Sequence, residues 1–161
     1  MANYAYPWLA VVKLSNDFFS GQLHPKEKTL EESLFLGDTD LESIVMQYAH
    51  GECHTWTVAL HQACPRTGVD FVLADDEIIH SFITSEDGKL AMDSNGVHLF
   101  DDVVKHWNWI AGTTCTIANM RDYEYTLDEM LNLEPQDLVD AYEGIQYWYN
   151  KTENYFKSDK A

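Results

Sequence analysis

Basic residues are scarce in this chain: ten Lys and Arg stand against 27 Asp and Glu in 161 residues, for a formal net charge of -17. Such a balance repels DNA, RNA and anionic membranes at long range, which argues against direct nucleic-acid or membrane binding. Cysteine is sparse as well. Cys53, Cys64 and Cys115 are an odd set that cannot all pair within one chain, and the first residues lack the basic start and apolar core of a signal peptide. The expectation is therefore a protein of the reducing cytoplasm. Long apolar runs are missing: the stretch from Tyr6 to Val12 falls far short of the ~20 residues of a membrane helix and contains Pro7. It reads as a strand or an anchoring arm. There is no Walker glycine loop, dinucleotide fingerprint or acidic metal-binding loop, so no cofactor and no metal are expected. Internal repeats, low-complexity segments and linkers are also lacking, which points to one domain over 1–161.

What is present suffices for a core, since 45% of the residues are hydrophobic and 13% aromatic. Thr29 and Glu32 have capping-box spacing and predict a short helix through Leu36; Asp40 is positioned to cap a second one through Tyr48. Gly51 breaks that run. From Cys53 to Ala63 the apolar residues cover most of a helix circumference, as in a buried helix. Short runs rich in Val, Ile and Phe follow at 69–74, 78–84, 90–93 and 113–119, the pattern of an antiparallel sheet. Asp101 to Trp107 reads as a helical turn, and Thr126 with Glu129 repeats the capping-box spacing. Pro135 opens a tail in which Leu138, Ala141, Tyr142, Ile145, Trp148 and Tyr149 recur at helical intervals. The expected class is α+β: N-terminal arm and helices over about 1–50, a catalytic-type core over 51–119, and a helical C-terminal extension over 120–161.

The candidate chemistry centres on Cys53, which follows a glycine-led turn directly into the buried helix. Unpaired N–H groups and the positive end of the helix dipole stabilise a thiolate there, and the thiolate is the nucleophilic form. A nucleophilic cysteine needs a base within reach and a third group to orient that base. The hairpin from Ile78 to Asn95 offers both. With Ser85-Glu86-Asp87-Gly88 as a four-residue loop, His80 faces Asp93; with Asp87-Gly88 as a two-residue turn, His80 faces Asn95 and Asp93 stays on the same face. Facing side chains have Cβ atoms about 4.5–5.5 Å apart, close enough for a carboxylate to hold an imidazole. Cys53 as buried filler, with His80 and Asp93 in a structural hydrogen bond, is the alternative.

Gly51-Glu52-Cys53 at a helix start, Gly68 after that helix, His80 on a strand and Asp93 on the next together resemble the papain-like cysteine enzyme superfamily, with the transglutaminase-like and amidase branches closest. The resemblance covers roughly residues 47–95. It implies a papain-like core in which the helix carrying Cys53 packs on an antiparallel sheet. It further implies Cys53 as nucleophile, His80 as general base and acid, Asp93 as orienter with Asn95 in reserve, and Gln47, six residues before the cysteine, as an oxyanion donor. The activity implied is that of a hydrolase (thiol protease, amidase or deamidase) or acyltransferase acting on a peptide or small amide or ester. Two departures leave the branch open: His54 follows the cysteine instead of a small or apolar residue, and Ser81-Phe82 stands where transglutaminase-like members often have Ala-Trp.

Cys53, His54, His61 and Cys64 invite a zinc reading. On one helix, however, His54 and His61 lie roughly 10 Å apart along the axis, too far to share one ion. His50 and His54 read as residues near the rim of the cysteine site; His24, His98 and His106 read as surface or hydrogen-bonded histidines. A rival function follows from charge alone. An acidic, noncatalytic inhibitor of phage or mobile-element type could occupy the basic groove of a protein partner by mimicking a phosphate backbone.

Overall fold

The structure, a computed structural model, describes residues 6–50, 52–120 and 133–158. The Thr126–Glu129 signature lies outside them. Five α-helices are described: α1 (Pro7–Phe19), α2 (Thr39–His50), α3 (Cys53–Ala63), α4 (Phe100–Ala111) and α5 (Pro135–Lys157). Five strands, β1 (Gly68–Ala74), β2 (Glu77–Thr84), β3 (Leu90–Asp93), β4 (Gly96–Leu99) and β5 (Thr116–Asn119), form one antiparallel sheet in the order β4-β3-β2-β1-β5. The chain is thus an α+β protein. Among the described residues no helix is long and apolar enough to cross a membrane.

Alternation along the strands divides the sheet into two faces. Val69, Phe71, Ile83, Met92 and Val97 join the main core with the apolar faces of α1, α2, α3 and α5. Val72, Phe82 and Ala91 point the other way and are covered by Val103 and Trp107 of α4. At the centre of the main core Trp56 of α3 meets Trp148 of α5 edge-on, with ring centroids 5.2 Å apart. Truncating either to Ala costs roughly 3–5 kcal/mol. Trp148 also donates its indole N–H to Ser94 O at 2.7 Å, and Ser94 Oγ donates to Val45 O at 3.0 Å. These bonds tie α5 and α2 to the β3–β4 turn.

Four local expectations are corrected. The segment from Tyr6 to Val12 is neither strand nor arm but the start of α1. Pro7 sits at the first helical position, where its missing N–H costs nothing, and the buried Ala10, Val11, Leu14 and Phe18 form a helical stripe too long to be seen in seven residues. The helix expected from Thr29 does not form, although Glu32 N–H donates to Thr29 Oγ1 at 3.2 Å. Leu34, Phe35 and Leu36 adopt left-handed φ of 56°, 54° and 55°, which no right-handed helix can include, within a short 3₁₀ turn over Leu34–Gly37; the N–H groups of Leu30 and Glu31 go to Asn95 O and Oδ1. Asp38, not Asp40, caps α2: its Oδ1 accepts from Leu41 N–H at 2.9 Å. The helical turn expected from Asp101 is the full-length α4.

Candidate active site

Cys53 is the first residue of α3 and 7% exposed. No side chain caps this helix start. Glu52, the residue placed to do so, turns its carboxylate to Gln47 Nε2 at 2.5 Å. The first-turn N–H groups and the positive end of the dipole therefore act beside the thiol.

His80 comes from β2. Val72 of β1 pairs with His80 and Leu73 with Ile78, so Ile79 is an extra residue in the ladder. Such a bulge re-aims the neighbouring side chain. The hairpin to β3 pairs Ile83 with Met92 and Thr84 with Ala91, which is the register of the Asp87-Gly88 tip and not that of the four-residue loop. Gly88, at φ 74°, supplies the left-handed residue the tip needs. In this register His80 counts opposite Asn95, yet Asp93, on the same face, is the residue that holds it. Asp93 Oδ2 lies 3.0 Å from His80 Nε2, Oδ1 lies 2.8 Å from His98 Nε2, and Oδ1 also accepts from Asn95 N–H at 3.0 Å. The Asn95 side chain is occupied by Glu31 N–H. Trp107 of α4 stacks on the His80 ring at 4.5 Å between centroids, and the imidazole is completely buried.

The ring's other nitrogen, Nδ1, has no hydrogen-bond partner among the described residues. It is the nitrogen left for Cys53, whose thiol is coupled to His80. Burial raises the Cys53 pKa, but His54 and then His80 outweigh burial and bring it down to about 5. For His80, burial opposes the charged form; the hydrogen bond to Asp93 and the contact with Cys53 overcome it and raise the pKa to about 9. Asp93 pays a desolvation penalty too, yet the charge of His98 and the hydrogen bonds from both imidazoles hold it well below the usual carboxylate range. The two shifts run in opposite directions and both favour thiolate with imidazolium around neutral pH.

A cavity of about 550 Å³ opens on the His80 side. Its wall includes His80, Asp93, His98, His106 and Trp107, with the 25–32 loop opposite and Ala49 at the α2 end. Cys53 itself is not part of that wall. The structure thus brings Cys53, His80 and Asp93 together, places Asn95 beside them as a tether for the 25–32 loop, and leaves Gln47 on the exposed face of α2, bonded to Glu52. Sequence reasoning missed His98 as a site member and placed His54 only at the rim. His98 shares Asp93 with His80, and His54 contacts both Cys53 Sγ, at 3.8 Å, and Ser81 Oγ, at 2.8 Å. No group of three or more His, Cys, Asp or Glu among the described residues is placed to hold a metal ion. Compared with known protein families, curated proteins and solved structures, the chain matches none.

Proposed function

We propose that this protein is a cysteine-dependent hydrolase or acyltransferase with a papain-like core, acting on an amide or ester bond of a peptide or small amide. The observation that carries the reading is geometric: Cys53 at the uncapped start of α3 and a buried His80 whose Nε2 is held by Asp93 while its Nδ1 has no hydrogen-bond partner among the described residues. The order Cys53, His80, Asp93 and the helix-on-sheet arrangement support it further. Three buried cysteines, none in a disulfide, suit a reducing cytoplasm.

Each group has a task. The Cys53 thiolate attacks the carbonyl carbon, forming a C–S bond and a tetrahedral oxyanion, which the N–H groups at the helix start can receive. As the C–N or C–O bond breaks, the His80 imidazolium gives its proton to the leaving group. Because that proton comes from His80, the cavity beside His80 is the natural place for the leaving group. Neutral His80 then takes a proton from water or an acceptor amine as that molecule attacks the thioester. The C–S bond breaks, and thiolate and imidazolium are restored. Asp93 keeps the ring oriented throughout.

The net charge of -17 favours one competing reading, a noncatalytic protein that docks on a basic partner. The two separate in one experiment. The protein and its Cys53→Ala variant are incubated with a panel of peptide amides and activated esters, and intact-protein mass spectrometry follows. An acyl adduct that maps to Cys53, with turnover lost in the variant, is expected. Turnover that survives in Cys53→Ala, or a panel that never acylates Cys53, would overturn the hydrolase reading.

A further inference from the structure

A single buried carboxylate serves two imidazoles in this site, and the acyl-transfer scheme above uses only one of them. Asp93 Oδ2 lies 3.0 Å from His80 Nε2; Oδ1 lies 2.8 Å from His98 Nε2 and accepts from Asn95 N–H at 3.0 Å. An ionised carboxylate can only accept, so both Nε2 atoms carry a proton, and each of the three N–H groups meets one carboxylate oxygen. His80 is thereby left with Nδ1 alone for chemistry. The strand register makes room for the second ring. Asp93 pairs with Gly96, and His98 follows two residues along β4 on the same face. A Cβ on Gly96 would lie 3.8 Å from His98 Cε1, so the imidazole leans across the bare glycine to reach Asp93.

We propose that His98 is a positioning residue of this site: its Nε2–H holds one oxygen of Asp93, keeps the carboxylate turned so that the other oxygen meets His80, and so fixes His80 with Nδ1 left for Cys53. The inference rests on the hydrolase reading for its catalytic meaning, but the hydrogen-bond geometry stands without it. Without His98, Asp93 keeps one donor on each oxygen, and burial then works against its charged form. A weakened carboxylate is felt at His80 and, through His80, at Cys53. The shared carboxylate also accounts for the residue type. An amide at position 93 would turn its own N–H2 toward one of the two Nε2–H groups, so two imidazoles in this geometry call for Asp and not Asn.

Two variants of the full chain separate the donor from the ring. His98→Phe keeps an aromatic ring without an N–H, and His98→Gln keeps an N–H at the reach of Nε2 without the ring. The readout is the rate of Cys53 alkylation by iodoacetamide against pH, with circular dichroism confirming the fold of each variant. The other titratable groups facing the cluster are the same in both: His80 of β2, His54 beside Cys53, Lys26, Glu27 and Glu32 of the 25–32 loop, and Asp102, Lys105 and His106 of α4 around the cavity. Loss of one hydrogen bond to a charged group is worth on the order of tenfold, and part of that reaches Cys53 through Asp93 and His80. In His98→Phe the Cys53 inflection near 5 should therefore move upward, and alkylation on its acid side should slow several-fold; His98→Gln should stay close to the parent. If His98→Phe does not fold, His98→Asn, whose amide ends short of the Nε2 position, takes its place with the same expectation. A parent-like profile in the variant that lacks the donor overturns the proposal, as does His98→Gln reacting as slowly as that variant. Because alkylation needs no substrate, the outcomes separate. A shift restored in His98→Gln with no acyl substrate sinks the hydrolase reading alone, and turnover with an unmoved profile sinks the His98 role alone.

Discussion

Replacing Asp93 with Asn keeps the side-chain shape and removes the charge behind His80. The buried imidazole rises from its ordinary 6.5 to about 9, a preference for imidazolium of roughly 3 kcal/mol at 1.36 kcal/mol per pH unit. Burial works against that charge, and Asp93 ranks ahead of Cys53 among the groups that overcome it. Breaking a buried charged pair by removing one partner costs roughly 3–5 kcal/mol, as large as that preference or larger. Burial then dominates, and His80 is largely neutral at pH 7. The thiolate loses the His80 imidazolium beside it, so the Cys53 inflection should rise by about one pH unit or more. Ultraviolet thiolate absorbance, corrected with the Cys53→Ala protein, reads this directly without any substrate. An Asp93→Asn protein that titrates like the parent would refute the claim that Asp93 holds His80 in its charged form.

Three further outcomes follow from the same structure. For any substrate that Cys53 turns over, kcat/KM should be bell-shaped in pH. It falls on the acid side near 5, where the thiolate is protonated, and on the alkaline side near 9, where the imidazolium is lost. Gly96, paired with Asp93, has φ 129°, and a Cβ there would sit 3.0 Å from the Phe156 ring; Gly96→Ala should lower urea stability by about 1–3 kcal/mol and slow Cys53 alkylation by displacing Asp93. Asp17, nearly buried between α1 and α5, accepts from Tyr149 OH at 2.5 Å and Lys13 Nζ at 2.8 Å and pairs with Lys157 Nζ at 3.0 Å. Burial raises its pKa, but these partners outweigh burial and lower it. Its contribution to stability is therefore fully present above the unfolded carboxylate pKa near 4 and disappears as pH falls through the lower folded value. Asp17→Asn should cost about 1.5–3 kcal/mol at pH 7 in denaturant titrations and progressively less as the pH falls below about 4.

The elements carrying the site were readable where local signals agreed. Gly51 and the apolar surround delimit α3 from Cys53 to Ala63, and Asp93 closes a strand that begins at Leu90. The hairpin register was open because the segment 85–88 suits either loop; Ser85 settles it locally, its Oγ reaching both Asp87 and Leu90 N–H. Other features depend on partners far along the chain. Thr29 and Glu32 carry a genuine helix signal, and Glu32 N–H does meet Thr29 Oγ1, but Leu34, Phe35 and Leu36 turn left-handed and the segment is anchored on the distant Asn95. Strand β4 has four residues, too few for a visible alternation, and with it went His98. Once Ser94-Asn95 is read as a two-residue turn, His98 falls on the face of Asp93. His54 lay in plain sight beside Cys53. Its partner Ser81, supplied by β2, lies 27 residues further on.

The most direct test of the thiolate–imidazolium pair is residue-resolved alkylation of the three cysteines against pH in the native protein. Cys53, Cys64 and Cys115 are 7%, 4% and 4% exposed, so access alone gives them little to differ by. The account has Cys53 reacting far faster than the other two, with an inflection near 5 that moves upward in His80→Ala. A Cys53 no more reactive than Cys64 and Cys115, or one indifferent to the loss of His80, would contradict it.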